Sequence, residues 1–203
     1  MTTARSAEQP TVLLTGFEPF GGANANNSWD AVQLVARDWR GPARLVTACL
    51  PVEFSRAGDT LVELIDEHAP DLVIATGVAG GRTKLTPERV AINLADARIP
   101  DNAGTQPLEK AIVDDGPDAY FTRLPVNAMV GRMTMAEVPA EASLSAGTYV
   151  CNDVMYRMMR HVAERGTIAG FIHVPDAEAL PLETIAAGLR AAVEAGLEAS
   201  TAS

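Results

Sequence analysis

Short apolar runs alternate with amphipathic helical stretches along nearly the whole chain, and few architectures accept that alternation. Val12, Leu13 and Leu14 form a run closed by Thr15 and Gly16. A continuous apolar run of that length reads as a strand buried on both faces. Trp29, Val32, Leu34 and Val35 then mark a helix reaching about Trp39, with Ser28 as its predicted N-cap. Arg44 to Leu50 reads as a second strand, Ala57 to His68 as a helix closed by Pro70, and Leu72 to Ala75 as a third buried strand. Arg89–Ala95 and Tyr120–Leu124 read as further strands, Val126–Val138 as helix, and Ala142–Ala146 as a short extended piece. Val154, Met155, Met158, Met159 and Val162 recur at helical spacing before Gly166. Ile168–Val174 is the last strand and Leu182–Leu197 the closing helix. The pattern predicts an α/β fold with a mostly parallel, mixed sheet covered on both faces.

The 203 residues suffice for one sizeable core, and no repeat or linker divides them. Residues 1–203 are therefore expected to form a single domain, with 1–9 and 199–203 fraying. Thr83–Gly116, rich in Pro, Gly, Asp and Asn, reads as a long functional loop region. The net charge of -10 repels phosphate backbones, which argues against nucleic acid as a partner. No stretch approaches the roughly 20 apolar residues of a membrane span, and Met1–Pro10 has no apolar signal-like run. Two cysteines, Cys49 and Cys151, make no disulfide framework, so the expected compartment is the reducing cytoplasm.

Chemistry is expected where α/β proteins keep their sites, at the carboxyl ends of strands. Cys151 follows Ser143–Val150 (SLSAGTYV) and opens a helix. Backbone N–H groups and the helix dipole there favour a thiolate and can bind an oxyanion. A cysteine nucleophile needs a base, and only three histidines compete. His161 lies on the Cys151 helix about 15 Å further along and cannot reach the thiol. His68 ends a helix before Pro70, at the opposite sheet edge. His173 closes the last strand at the favoured edge and is the best partner by elimination. The imidazole also needs an orienting acceptor, which spacing cannot select. Glu88 follows the glycine-rich turn Gly77–Arg82; from the residues alone it reads first as a surface ion-pair partner of Arg89. No Cys/His cluster suits a metal, and no cofactor is implied.

These residues lie in four ordered motifs: Leu13–Gly22 (LLTGFEPFGG) with Asn26–Trp29 (NNSW); Gly77–Asn93 (GVAGGRTKLTPERVAIN) with Ala97–Pro107 (ARIPDNAGTQP); Ser143–Asn152 (SLSAGTYVCN); and Gly170–Pro175 (GFIHVP). In this order the chain resembles the bacterial, cysteine-dependent pyroglutamyl peptidases (pyrrolidone carboxyl peptidases). The resemblance implies a three-layer α/β/α sandwich and a homo-oligomer, tetramer or dimer. It implies Cys151 as nucleophile, His173 as base and Glu88 as the third member. It implies a ring pocket at Phe17, Phe20, Ile99, Tyr149 and Val150, with Asn26 bonding the pocket loops or the ligand, and Arg98 near the loop or oxyanion. The implied reaction releases L-pyroglutamate from the N-terminus of peptides through a thioester, starting from a thiolate–imidazolium pair.

Three departures stand out. Val78 replaces the usual Gln before AGGR, Asn27 replaces a usual Pro, and the segment from Pro175 to Leu182 is short. None touches Cys151, His173 or Glu88. They leave two rival readings open: a cysteine amidase of altered small-amide specificity, and a ligand-binding protein that keeps only the pocket.

Overall fold

The computed structural model describes residues 9–201. The strands are β1 (Thr11–Phe17), β2 (Arg44–Leu50), β3 (Leu72–Val78), β4 (Thr86–Pro87), β5 (Val90–Ile92), β6 (Ala119–Phe121) and β7 (Ile168–Val174). The helices are α1 (Asn27–Asp38), α2 (Arg56–His68), α3 (Val126–Met135), α4 (Val150–His161) and α5 (Leu182–Thr201). Five strands form one sheet in the order β2-β1-β3-β7-β4, parallel except for the antiparallel edge strand β4. β5 and β6 form a separate antiparallel pair.

β1, β3 and β7 are buried almost throughout, as strands covered on two faces must be. Alternate residues feed two cores. Val12, Leu14, Ile74, Ile172 and Val174 pack with α1, α3 and α5, while Leu13, Val73, Ala75, Ala169 and Phe171 pack with α2 and α4. The result is the α/β/α sandwich, with helices on both faces of a mostly parallel sheet. No helix among the described residues is long and apolar enough to cross a membrane.

Several local readings change. Asn26, not Ser28, caps α1: its side chain accepts from the Ser28 amide, and Ser28 lies inside the first turn. Arg89–Ala95 yields only the three-residue β5, because the Asn93 side chain and its neighbours are spent holding the following loop. The short extended piece Ala142–Ala146 pairs through a single bridge, Ser143 to Glu88. The closing helix extends past Leu197 to Thr201. The Gln9 side chain donates to the Pro42 carbonyl, and the fraying expected at 1–8 and 202–203 lies outside the described residues.

Ile74 sits fully buried on the central strand β3. Ile74→Ala is expected to cost about 2–5 kcal/mol, the range for an aliphatic core truncation, read as a lower urea midpoint at unchanged slope.

Candidate active site

β3 and β7 run side by side and bring two motifs into register. Gly77 near the end of β3 is the partner of His173 near the end of β7. Paired residues of parallel strands, about 4.8 Å apart, send side chains to the same face. On that face α4 presents its N-terminus, and the Cys151 sulfur fills the space where Gly77 lacks a side chain. A Cβ on Gly77 would lie 2.8 Å from Sγ and 3.0 Å from the Phe171 ring. The sulfur and the His173 imidazole therefore stand beside each other over adjacent strands. No hydrogen bond joins them in this geometry.

The other side of the imidazole is held firmly. His173 Nδ1 lies 2.7 Å from Glu88 Oε1, and both side chains are buried. Glu88 is fixed by its backbone: its N–H donates to the Phe171 carbonyl, and its neighbour Pro87 pairs with Ile172. The surface reading of Glu88 beside Arg89 is thus overturned. The Glu88 side chain has no exposure, and Arg89 instead reaches Asn127. The Arg82 guanidinium also donates to Glu88 Oε1, at 2.7 Å. Oε2 is buried without a regular hydrogen-bond partner, although the Ser143 hydroxyl helps stabilise the charge.

Burial works to raise the Glu88 pKa, but the hydrogen bond to His173, with the nearby Ser143 hydroxyl and the Arg82 guanidinium, outweighs it and holds the carboxyl below its ordinary range. For His173, burial lowers the pKa and outweighs the pull of the Glu88 carboxylate, with the Arg82 charge lowering it further. The imidazole is neutral at neutral pH. Cys151 departs from the thiolate that its helix N-terminus suggests. Burial of the sulfur, then the nearby Glu88 charge, push the thiol up to about 12, against the opposing effects of Arg82 and of its own backbone N–H. The residue as a whole is partly exposed, but its sulfur faces inward among Gly77, Phe171 and Phe17. The ligand-free site therefore holds a neutral thiol beside a neutral imidazole.

A pocket opens next to the thiol, lined by Phe17, Phe20, Asn26, Val52, Val78, Tyr149, Val150 and Cys151. It is mostly apolar. Asn26 lines it, but its amide is committed: Nδ2 donates to the Glu18 carbonyl, and Oδ1 accepts from the Ser28 N–H and hydroxyl. The Tyr149 ring meets Phe54 edge-on at 5.4 Å, and its hydroxyl donates to the Pro100 carbonyl. Ile99 and Arg98 lie on the same strap and are exposed; neither lines the pocket. The strap is tied down by Asp101, which accepts from Phe54 N–H, and by Asn102, which donates to Glu18. His161 is bonded to Asp66 and His68 ends α2, both away from the thiol. A larger groove of about 770 Å³ beside Asp59, Arg157 and His161 contains no thiol. Val52, Arg82 and Ser143 also reach the site, and none carries a sequence signal that marks it as a site residue. Arg82 lies within a quoted motif, but nothing in its spacing shows that it turns inward to Glu88.

A thiol at a helix start, beside an imidazole bonded to a buried carboxylate on an α/β/α scaffold, defines a hydrolase of the cysteine-peptidase class. The comparisons narrow this. The family model for pyroglutamyl peptidase matches residues 10–199. The pyrrolidone-carboxylate peptidase of Cupriavidus taiwanensis is 50% identical over 201 residues, covering 93% of each chain. That of Clavibacter michiganensis is 46% identical over 202 residues, covering 95% of each. The crystal structure of pyroglutamyl peptidase I from Bacillus amyloliquefaciens superposes with a TM-score of 0.88 at 40% identity, covering 93% of this chain and 95% of that one. A variant pyrrolidone carboxyl peptidase from Pyrococcus furiosus gives 0.89 at 35% identity, covering 94% and 99%. The chain belongs to the pyroglutamyl peptidase family and is an enzyme of the cysteine peptidase type.

Two predictions follow from the geometry. Gly77→Ala is expected to displace the sulfur and lower kcat/KM by about a hundredfold, the scale of a 1 Å misplacement, while circular dichroism shows a folded protein. In a Cys49→Ser background, where Cys151 is the only thiol, iodoacetamide alkylation of the ligand-free protein should climb steadily from pH 7 to 10. A plateau near neutrality would show that a thiolate is already present.

Proposed function

We propose that the chain hydrolyses the amide bond after an N-terminal pyroglutamyl residue, with Cys151 as nucleophile, His173 as general base and acid, and Glu88 as the group that orients the imidazole. The observation that carries this is the 2.7 Å bond from His173 to buried Glu88, on the same face of the sheet as the Cys151 sulfur. With Nδ1–H committed to Glu88, Nε2 is left as the acceptor for the thiol proton.

Sγ attacks the pyroglutamyl carbonyl carbon while its proton passes to Nε2. Charge develops on the carbonyl oxygen at the start of α4. The Asn152 and Asp153 amides are already spent on the Tyr149 carbonyl, whereas the Cys151 N–H faces its own sulfur and is placed to donate to the oxyanion. The C–N bond breaks as Nε2–H protonates the leaving amine, leaving a thioester on Cys151. Water then attacks the thioester and gives a proton to Nε2. The C–S bond breaks, free L-pyroglutamate leaves, and the proton returns to sulfur.

A flat, uncharged lactam suits a pocket walled by Phe17, Phe20 and Tyr149. The polar edge of the ring needs donors and acceptors, and the β3 backbone offers them. The Ala79 amide bonds Val174 on β7, so the amide and carbonyl of Val78 face the opposite way. On that side β1 has ended its pairing with β3 at Ala75. Backbone groups at Val78 can thus read the ring although its side chain cannot. The reading treats residues 1–203 as one catalytic unit, supported by a family match over 10–199. It places the reaction in the cytoplasm, where the unpaired Cys49 and Cys151 stay reduced.

The test is turnover of pyroglutamyl, prolyl and glutaminyl amide reporters. The pyroglutamyl reporter should be strongly preferred. Cys151→Ala should abolish its turnover, and Glu88→Gln should lower kcat by about a hundredfold or more. Equal use of all three reporters would favour the altered-specificity reading. Undiminished activity of Cys151→Ala would end the nucleophile assignment.

A further inference from the structure

Glu88 Oε1 carries two bonds, and only one of them goes to the imidazole. The second comes from Arg82, whose Nη1 lies 2.7 Å away and also bonds the Thr86 hydroxyl. The other arm of the same guanidinium, Nη2, donates to the Ser145 carbonyl at 3.0 Å. Ser145 lies in the turn that passes through Gly147, at φ +79, into the N-terminus of α4 and Cys151. One side chain thus touches the carboxylate behind the base and the loop that delivers the nucleophile. Its fork geometry makes this span available to arginine and not to lysine.

We propose that Arg82 is a positioning residue for the reaction, which couples the Glu88–His173 pair to the loop carrying Cys151. The proposal rests on the triad reading given above. Two features make the coupling specific. Glu88 is fully buried, so a charge partner is needed to keep it ionised and acceptor-only. Thr86, the third contact of Arg82, is the register partner of His173 across β4 and β7. The guanidinium therefore braces both ends of the short segment from which Glu88 hangs. It does not touch the sulfur or the ring pocket, so its influence runs through Glu88, His173 and the Ser145 turn.

The charged and titratable groups around the imidazole are few. Glu88 faces it from the segment after β4, Arg82 from the loop after β3, and Cys151 from α4. The two nearby residues of the turn before α4, Ser143 and Ser145, carry no charge. Arg82 acts against protonation of His173, and Glu88 acts in favour. Removing the positive charge makes the imidazole easier to protonate. The protonated imidazole cannot accept the thiol proton, so the acidic limb of kcat/KM moves to higher pH. A brace that served only folding would leave that limb in place.

The experiment measures kcat, KM and the pH profile of Arg82→Gln and Arg82→Lys on a pyroglutamyl amide reporter, with Cys151→Ser and Glu88→Gln alongside. The folded fraction is read by circular dichroism at the assay temperature. For Arg82→Gln the expected result is a kcat lowered by about tenfold or more with KM within about threefold, and an acidic limb displaced to higher pH. Arg82→Lys keeps the charge and loses the fork; its limb should stay near that of the parent while kcat recovers only in part. If Cys151→Ser and Glu88→Gln are inactive but Arg82→Gln keeps full kcat and an unmoved limb, the positioning role is wrong and the triad reading stands. A loss in Arg82→Gln that merely tracks the unfolded fraction overturns the proposal equally. If Cys151→Ser or Glu88→Gln turns over substrate like the parent, the triad reading falls, and the role of Arg82 falls with it.

Discussion

A carboxylate kept away from water shapes the whole site. Glu88 has no exposed side-chain surface, yet its pKa lies below the ordinary carboxyl range. Desolvation alone drives such a group to neutrality. Two hydrogen-bonded partners, His173 and Arg82, with the Ser143 hydroxyl nearby, reverse that tendency, and each comes from a different stretch of chain. Satisfying one buried charge therefore joins the last strand, the loop before α4 and the glycine-rich turn after β3. The two-residue strand β4 exists within this knot: Thr86 and Pro87 pair with β7, and the next amide, of Glu88, bonds Phe171.

The Cys151 sulfur is placed by shape rather than by charge. Gly77 is required because the sulfur occupies the volume that any side chain would fill. Phe171 and Phe17 close the space around it, and that enclosure keeps the thiol protonated in the ligand-free state. A helix N-terminus and a nearby arginine both favour the thiolate, but burial and the Glu88 charge outweigh them here. A thiol held protonated is also a poorer target for stray electrophiles than a thiolate. The apolar pocket beside it follows the same logic, since the Asn26 amide is consumed in capping α1 and holding the Glu18 loop and the Tyr149 hydroxyl in bonding the Pro100 carbonyl.

The alternation of apolar runs and amphipathic helices was enough to read the sandwich, because strands buried on both faces and helices with one apolar stripe have few ways to pack. It failed where the chain holds structure by side-chain bonds to backbone. The region after Arg89 alternates like a strand, but Asn152 takes the amide and carbonyl of Ile92 while Asn93 ties down the Ile112 amide, which leaves only β5. Ser28 looked like a cap by residue type; the choice of Asn26 depends on the Glu18 carbonyl and the Phe17 amide reaching the same corner.

For the site, the residues themselves determined which groups could do chemistry: one thiol at a helix start, and one histidine at the right edge of the sheet. Local signals carry that much, since a helix start and a strand end are readable from neighbouring residues. Only the tertiary structure decided that Glu88 turns inward to His173 rather than outward to Arg89, that Arg82 stands behind it, and that the sulfur is buried. Burial and partnership across 85 positions, the separation of Glu88 and His173, depend on strand register, and register is a property of the assembled sheet.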